Sequence, residues 1–187
     1  MGDTSGASPK TLPPDYMGMA IEEALRGVAS GDGGPFGALI LHRSTGEVVS
    51  LSHNCVLKSN DPTAHAEVVA IRAASAARGT WDLSDCVLYA SCRPCPMCYG
   101  AAAWAKLPRV EYAARAEDAA SVGFDDKAMW DAVGREGGSG AAAAAAADGD
   151  PQSEPLAMVV MHVAHERKME PFHAFVKAKE DGKSSLY

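Results

Sequence analysis

Asp61-Pro62-Thr63-Ala64-His65-Ala66-Glu67 and Pro94-Cys95-Pro96-Met97-Cys98 are the two stretches that decide the fold of this chain. The first supplies an imidazole and a carboxylate, and the second supplies two thiols. One imidazole and two thiolates suit Zn²⁺, and three protein ligands leave the fourth tetrahedral position of a catalytic zinc open for water. Water bound there loses a proton near neutral pH and becomes a nucleophile. We therefore predict one Zn²⁺ per chain, held by His65, Cys95 and Cys98.

Each stretch is ambiguous when it is taken alone. A lone His-x-Glu is common on solvated helix turns, and a lone Cys-x-x-Cys is also found in redox pairs, structural zinc sites and buried thiols. Their order here, His-x-Glu and then Pro-Cys-x-x-Cys, is the one described for zinc-dependent nucleobase deaminases. In that pattern Glu67 moves protons and does not bind the metal. Cys92 overlaps the second stretch but ends an apolar run, and we leave it out of the site.

Both stretches are expected at the beginnings of helices. The alanine-rich run 95–107 is typical of a helix, and two thiols spaced i,i+3 in its first turn share one face. Thiolates at that end also gain from the helix dipole. Asp61 and Pro62 predict the cap and first position of another helix, with His65 and Glu67 near its beginning.

Strands and helices alternate along the rest of the chain. Helices are predicted over residues 16–29, 65–78, 95–105 and 171–179, with shorter helical pieces up to Val133. Strands are predicted over residues 36–41, 47–52, 86–91, 110–114 and 156–163, the first two as a hairpin. Crossover connections place helices on both faces of one sheet, so we expect an α/β fold with five strands.

Length and composition indicate one globular domain. The chain has 187 residues, of which 47% are hydrophobic. We expect a disordered tail over residues 1–14, a single domain over 15–187, and a flexible Gly/Ala-rich insertion over 134–155. The sequence has no apolar run of about eighteen residues and no signal-peptide core, so no membrane partner is expected. Five cysteines, an odd number, favour a reducing compartment, and we expect the cytoplasm.

The charge of the chain argues against a nucleic-acid partner. The formal net charge is -7, whereas affinity for DNA and RNA depends on basic contacts to phosphate. The basic residues near the C-terminus, such as Arg167 and Lys168, are interleaved with acidic ones, which is typical of a solvated helix face. A small-molecule substrate is therefore favoured.

Several motifs together resemble the cytidine-deaminase superfamily and, within it, the small bacterial and plant guanine deaminases. They are the two zinc stretches, Asn54, Gly33-Gly34-Pro35-Phe36-Gly37-Ala38 and Gly123-Phe124-Asp125-Asp126. The last motif discriminates best, because tRNA adenosine deaminases share both zinc stretches but lack it. The resemblance spans roughly residues 31–133 and implies a three-layer α/β/α fold around a central five-stranded mixed sheet.

The resemblance also implies roles for individual residues. His65, Cys95 and Cys98 bind zinc, Glu67 carries protons, and Asp126 is a second acid beside the exocyclic amine. The implied purine contacts are the Asn54 amide, the rings of Phe36 and Trp104, the backbone of Ala66, and Tyr187. Simple core packing is the alternative for Phe36 and Trp104. The resemblance further implies a homodimer in which the C-terminal segment, residues 169–187, closes the site of the partner subunit.

The implied reaction is zinc-dependent hydrolysis of guanine at C2 to xanthine and ammonia. The alternative substrate is guanosine, because residues 31–34 and 54–58 resemble plant guanosine deaminases. A tRNA adenosine deaminase and a non-catalytic zinc-binding module are less favoured; the acidic charge argues against the first, and the retained Glu67 against the second. One departure is Arg93, which stands where the family usually has glutamate, and the sequence gives no physical reason for it.

Overall fold

A computed structural model describes residues 14–136 and 158–186; predictions on the other residues lie outside the described part. Five strands form one sheet in the order β2-β1-β3-β4-β5. The strands are β1 (Gly37–His42), β2 (Val48–His53), β3 (Cys86–Cys92), β4 (Arg109–Ala114) and β5 (Val159–His162). The helices are α1 (Tyr16–Ser30), α2 (Val56–Ser59), α3 (Ala66–Arg78), α4 (Pro96–Trp104), α5 (Ala116–Ala120), α6 (Lys127–Glu136) and α7 (Glu170–Glu180).

The sheet is mixed, and helices cover both of its faces. Strand β1 is antiparallel to β2 and β3, whereas β3, β4 and β5 run parallel. Along β1, Ala38 and Ile40 pack with α3, whereas Leu39 and Leu41 pack with Ala20 of α1. Because successive strand side chains point to opposite faces, α1 and α3 lie on opposite sides of the sheet. The predicted three-layer α/β/α fold with a five-stranded mixed sheet is confirmed.

Helix α1 lies unusually close to β1. Its first turn is capped by Asp15, whose Oδ1 accepts a hydrogen bond from Gly18 N at 2.8 Å. A Cβ atom on Gly37 would lie 2.1 Å from the backbone oxygen of Ala20. Only glycine at position 37 therefore allows α1 to come this close to β1. This contact fixes the position of β1, which begins directly after Phe36.

The predicted boundaries need three corrections. Helix α3 begins at Ala66 with His65 as its N-cap, and Asp61 instead closes a local turn by accepting from Thr63 N at 2.8 Å. Residues 134–136, which were assigned to the insertion, are the last of α6. Helix α2 was not predicted, because four residues carry too little periodicity to indicate a helix.

Helix α7 returns the end of the chain to its own domain, where it packs on α1. Phe172 and Phe175 are 1% and 0% exposed, and they contact Phe36 and Phe124 respectively. These two phenylalanines therefore pack within their own chain. Within residues 14–136 and 158–186, every helix is too short or too polar to cross a membrane.

Candidate active site and metal centre

The three predicted zinc ligands meet where α3 and α4 begin. His65 is the N-cap of α3, Cys95 is the N-cap of α4, and Cys98 lies in the first turn of α4. Both helices pack on the same face of the sheet. The donor atoms of His65, Cys95 and Cys98 all lie within 4.8 Å of one another. Elements from two parts of the chain therefore build one compact site.

The geometry and chemistry of this donor set fit Zn²⁺. His65 Nδ1 lies 3.6 Å from Cys95 Sγ and 3.5 Å from Cys98 Sγ. With zinc bonds of about 2.0 Å to nitrogen and 2.3 Å to sulfur, the edge of a tetrahedral site measures roughly 3.5 Å. The three donors therefore need little rearrangement to hold a zinc ion and leave one position open.

The two thiols have very different proton affinities. A hydrogen bond from Cys98, which outweighs the effect of burial, lowers the pKa of Cys95 to about 4. The same hydrogen bond raises the pKa of Cys98. One thiolate is thus already stable at neutral pH, and the thiolate is the form that binds metal. Cys92 is outside the donor group; burial raises its pKa, and its thiol faces the carbonyl of Arg115.

Glu67 lies beside these donors at the start of α3, with 7% of its surface exposed. Burial is the main cause that raises the pKa of its carboxyl group, and the positive charge of His65 opposes this rise. A carboxyl group with a raised pKa accepts and returns protons more readily near neutral pH. Glu67 is therefore suited to proton transfer.

A cavity of about 400 Å³ opens beside His65, Glu67 and Cys95. Its apolar wall includes Phe36, which meets Phe124 edge to face at a centroid distance of 5.0 Å. Its lining also includes Asp126 and Arg93. An apolar lining with a few polar groups is typical of a site for a small molecule.

Asp126 lines the same cavity directly before α6. Burial raises the pKa of its carboxyl group, although a hydrogen bond from Trp130 acts in the opposite direction. The Trp130 Nε1–H donates to Asp126 Oδ2 at 3.0 Å. The structure therefore brings a second carboxyl group to the cavity that contains Glu67.

Asn54 is fully buried at the end of β2. Its side-chain oxygen accepts hydrogen bonds from Gly34 N at 3.1 Å and Val56 N at 3.2 Å. Its side-chain nitrogen has no hydrogen-bond partner among the residues that the structure describes. Since an unpaired buried donor is costly, this amide is a candidate for contact with a ligand.

Three further predicted contacts have different outcomes. Ala66 begins α3, so its amide is among the four that a helix leaves without an intrahelical partner. Tyr187 lies outside the described residues. Trp104 is 86% exposed, lies roughly 200° around α4 from the buried Ala102 and is not among the residues that line this cavity, so its contact with the purine stays a prediction.

Some cavity residues were not predicted. Phe124 and Asp125 were quoted within a motif without a role, and Met129 was not considered, yet all three line the cavity. Arg93, for which the sequence gave no reason, places its guanidinium 5.0 Å from the centroid of the Trp130 ring. The spacing i,i+4 was an available signal only for the contact between Asp126 and Trp130.

Comparison with known proteins identifies the class of this site. Residues 12–114 match the cytidine and deoxycytidylate deaminase zinc-binding region. Guanine deaminase of Bacillus subtilis is 50% identical over 115 residues, which are 62% of this chain and 72% of the relative. A tRNA-specific adenosine deaminase of Streptococcus pyogenes is 36% identical over 99 residues, covering 53% of this chain and 60% of the relative.

A solved structure shares the fold as well. The X-ray structure of guanine deaminase from Bacillus subtilis superposes with a TM-score of 0.61 and 39% identity. The match covers 87% of this chain and 92% of the solved chain. The likeness therefore extends beyond the zinc-binding region to most of the molecule.

Proposed function

This chain belongs to the cytidine and deoxycytidylate deaminase family, and we propose that it hydrolyses guanine at C2 to xanthine and ammonia. The observation that carries the proposal is a buried Glu67 beside three zinc donors, at the base of a cavity with an aromatic wall. The 50% identity to a guanine deaminase supports guanine as the base. A structural zinc site would have no use for this carboxylate.

The protein's own groups perform the proton transfers of this reaction. Zinc held by His65, Cys95 and Cys98 supplies a water that is nucleophilic at neutral pH. Glu67 takes one proton from the attacking water and gives it to the ring nitrogen. It then takes the remaining proton of the hydroxyl added at C2 and gives it to the amine, which leaves as ammonia while the C2 carbonyl forms. Its raised pKa helps it to hold the proton between these transfers. Phe36 and Phe124 give the cavity an apolar lining, which keeps water away from their part of the site.

The substrate is oriented by side chains whose positions the protein itself fixes. The unpaired side-chain nitrogen of Asn54 can donate to an acceptor on the purine, and its oxygen is held by two backbone amides. Asp126 lines the cavity and can accept a hydrogen bond from the exocyclic amine. The ring of Phe36 can pack against the purine face. Together these contacts favour a purine with a 2-amino group.

Guanosine is a second candidate substrate, because a second cavity of about 460 Å³ adjoins the first. Both cavities are lined by Arg93, Asp125 and Asp126, and the second adds Lys127. These polar groups can bind ribose hydroxyls. Ammonia release from guanine, guanosine, adenine and cytidine by zinc-loaded protein tests the proposal: guanine should have the highest kcat/KM, and turnover restricted to adenine or cytidine contradicts it.

We further propose that a second copy of the chain covers the exposed apolar side chains of α4 and α6. These include Trp104 (86%) on α4 and Met129 (51%) and Val133 (56%) on α6, and Met129 also lines the cavity. A partner seated there would bury them and receive Trp104 near its own cavity. Trp104→Glu should convert a dimer to a monomer in sedimentation equilibrium, whereas Trp81→Glu, at another exposed tryptophan, should not. A monomeric wild-type protein contradicts this proposal.

The C-terminal segment is proposed to close the cavity of its own chain. Leu186 lies so near Gly123 that a Cβ on this glycine would be 2.9 Å from Leu186 Cδ1, and Gly123 lines the cavity. Deletion of residues 184–187 should preserve zinc content and oligomeric state but raise activity on guanosine relative to guanine. If mixing the truncated protein with an inactive full-length variant restores the original ratio, the segment is exchanged between subunits instead.

A further inference from the structure

Trp130 binds the carboxylate that is proposed to meet the substrate amine. Its indole Nε1–H donates to Asp126 Oδ2 at 3.0 Å. The backbone of Asp126 is fixed as well, since its carbonyl accepts hydrogen bonds from Met129 N and Trp130 N, each at 3.1 Å. Asp126 and Trp130 are thus joined through both backbone and side chain at the start of α6.

The indole of Trp130 is itself held by two neighbours. The Arg93 guanidinium lies 5.0 Å from its ring centroid, within the range of a cation–π interaction. The Tyr99 ring of α4 meets it edge to face, with a centroid distance of 5.9 Å and an interplanar angle of 73°. These contacts come from the loop after β3 and from α4, the elements that also carry the zinc donors Cys95 and Cys98.

From this arrangement we infer that Trp130 is a positioning residue, which holds Asp126 in the orientation that the reaction requires, and that Arg93 steadies Trp130. The inference rests on the proposed function. It also accounts for arginine at position 93, because a glutamate there would present a negative charge to the indole ring. Through its contact with Trp130, the side chain at position 93 thus links the loop beside the zinc donors to Asp126.

The size of the effect follows from the bond that is lost. A hydrogen bond to a charged group contributes enough that its removal should lower kcat roughly 10- to 100-fold. Trp130→Phe keeps an aromatic ring between Arg93 and Tyr99 but lacks the donor. Because the bond orients a group needed in the transition state, KM should change by less than about threefold. Arg93→Gln should lower kcat by only roughly two- to fivefold, as expected for loss of a cation–π contact.

A double-mutant cycle separates positioning from a merely structural role. In an Asp126→Ala background, Trp130→Phe should change kcat by less than about twofold, because the group on which it acts is gone. Trp81→Phe is the matched control and should leave kcat unchanged in both backgrounds. An equal fold loss from Trp130→Phe with and without Asp126 overturns the inference, as does a wild-type kcat for Trp130→Phe.

A second readout does not depend on activity. The chain has three tryptophans, so nitrogen-15 labelling of tryptophan gives a spectrum that three Trp→Phe variants assign. Asp126→Ala should move the Trp130 indole resonance upfield and leave the other two in place. An unmoved Trp130 resonance overturns the inference even when turnover of guanine fails, whereas ammonia release by the wild-type protein decides the proposed function separately.

Discussion

Cys92 and Cys98 are both buried near the cavity, but only Cys98 belongs to the zinc donor group. Cys98→Ala should remove most of the bound zinc. Loss of a residue that only supports a metal ligand lowers the affinity for the metal roughly 10- to 100-fold, and loss of a ligand itself should lower it at least as much. Cys92→Ala should keep about one zinc per chain. Elemental analysis after gel filtration checks both variants. Loss of zinc from the Cys92 variant alone would assign that thiol to the metal.

Asp32 lies in a partly buried network beneath Asn54. Its Oδ2 accepts hydrogen bonds from His53 Nε2 at 2.8 Å and Lys58 Nζ at 2.9 Å, and His53 Nδ1 also contacts Glu23 at 2.7 Å. Burial alone would raise the pKa of Asp32, but the hydrogen bonds from Lys58 and His53 outweigh it and hold the pKa below its usual value.

Asp32→Asn should therefore lower the free energy of unfolding by about 2 kcal/mol at neutral pH. Because the folded-state pKa is depressed, this stabilisation is fully present above the unfolded pKa of about 3.9 and is lost as pH falls through the folded value. Urea unfolding at several pH values should show the two proteins converging below about pH 4. Asp131→Asn, in an exposed pair with Lys127, should cost less than about 1 kcal/mol. A constant gap for Asp32→Asn across this range would contradict the assignment.

At the residue scale, the sequence predicts neighbouring side chains well where the spacing of the residues fixes the direction in which the side chains point. His65, Glu67, Cys95 and Cys98 could be predicted as neighbours because each lies in the first turn or cap of a helix and follows a recognised order. The role of Trp104 came from the resemblance alone, and its position on the helix, roughly opposite Ala102, explains its exposure in this chain. The contact of Arg93 with Trp130 joins distant parts of the chain, and local pattern does not report such contacts.

At the scale of elements, α7 depends on two aromatic anchors. Phe172 is buried against Phe36 and the cluster of Cys92, Ala114 and Ala119. Phe172→Ala should lower the free energy of unfolding by about 3–5 kcal/mol, as for other buried aromatic truncations. Val176→Ala on the same helix, where valine is 37% exposed, should cost about 0.5 kcal/mol. Urea unfolding measures both variants. If the free energy of unfolding falls by a similar, small amount in each, α7 is not anchored in its own chain.

The boundaries of β1 to β4 were predicted to within one residue, and β5 begins three residues later than predicted; alternation and short apolar runs mark the strands well. The start of α3 was less predictable, since Asp61-Pro62 has the composition of a helix start but forms a turn with Thr63. The order of the strands in the sheet was not predicted. Pairing of β1 with β3 joins residues that are far apart in the sequence, and local periodicity does not predict such pairing.

At the scale of the whole molecule, the fold brings chemistry from separate segments to one cavity. The starts of α3 and α4 supply the zinc donors and Glu67, the loop after β3 supplies Arg93, and the start of α6 supplies Asp126. The net charge of -7 fits a small-molecule substrate better than a polyanion. We propose that these groups form a guanine-deaminating site in which Glu67 carries the protons.

Comparison of zinc-loaded wild-type protein with Glu67→Gln on guanine tests this claim most directly. The wild-type protein should release ammonia and xanthine in equal amounts. The variant should retain the same zinc content but turn over guanine about 10² to 10⁴ times more slowly, the usual contribution of general acid–base catalysis. Turnover of guanine by the variant at nearly the wild-type rate, or none by the zinc-loaded wild-type protein, would contradict the account.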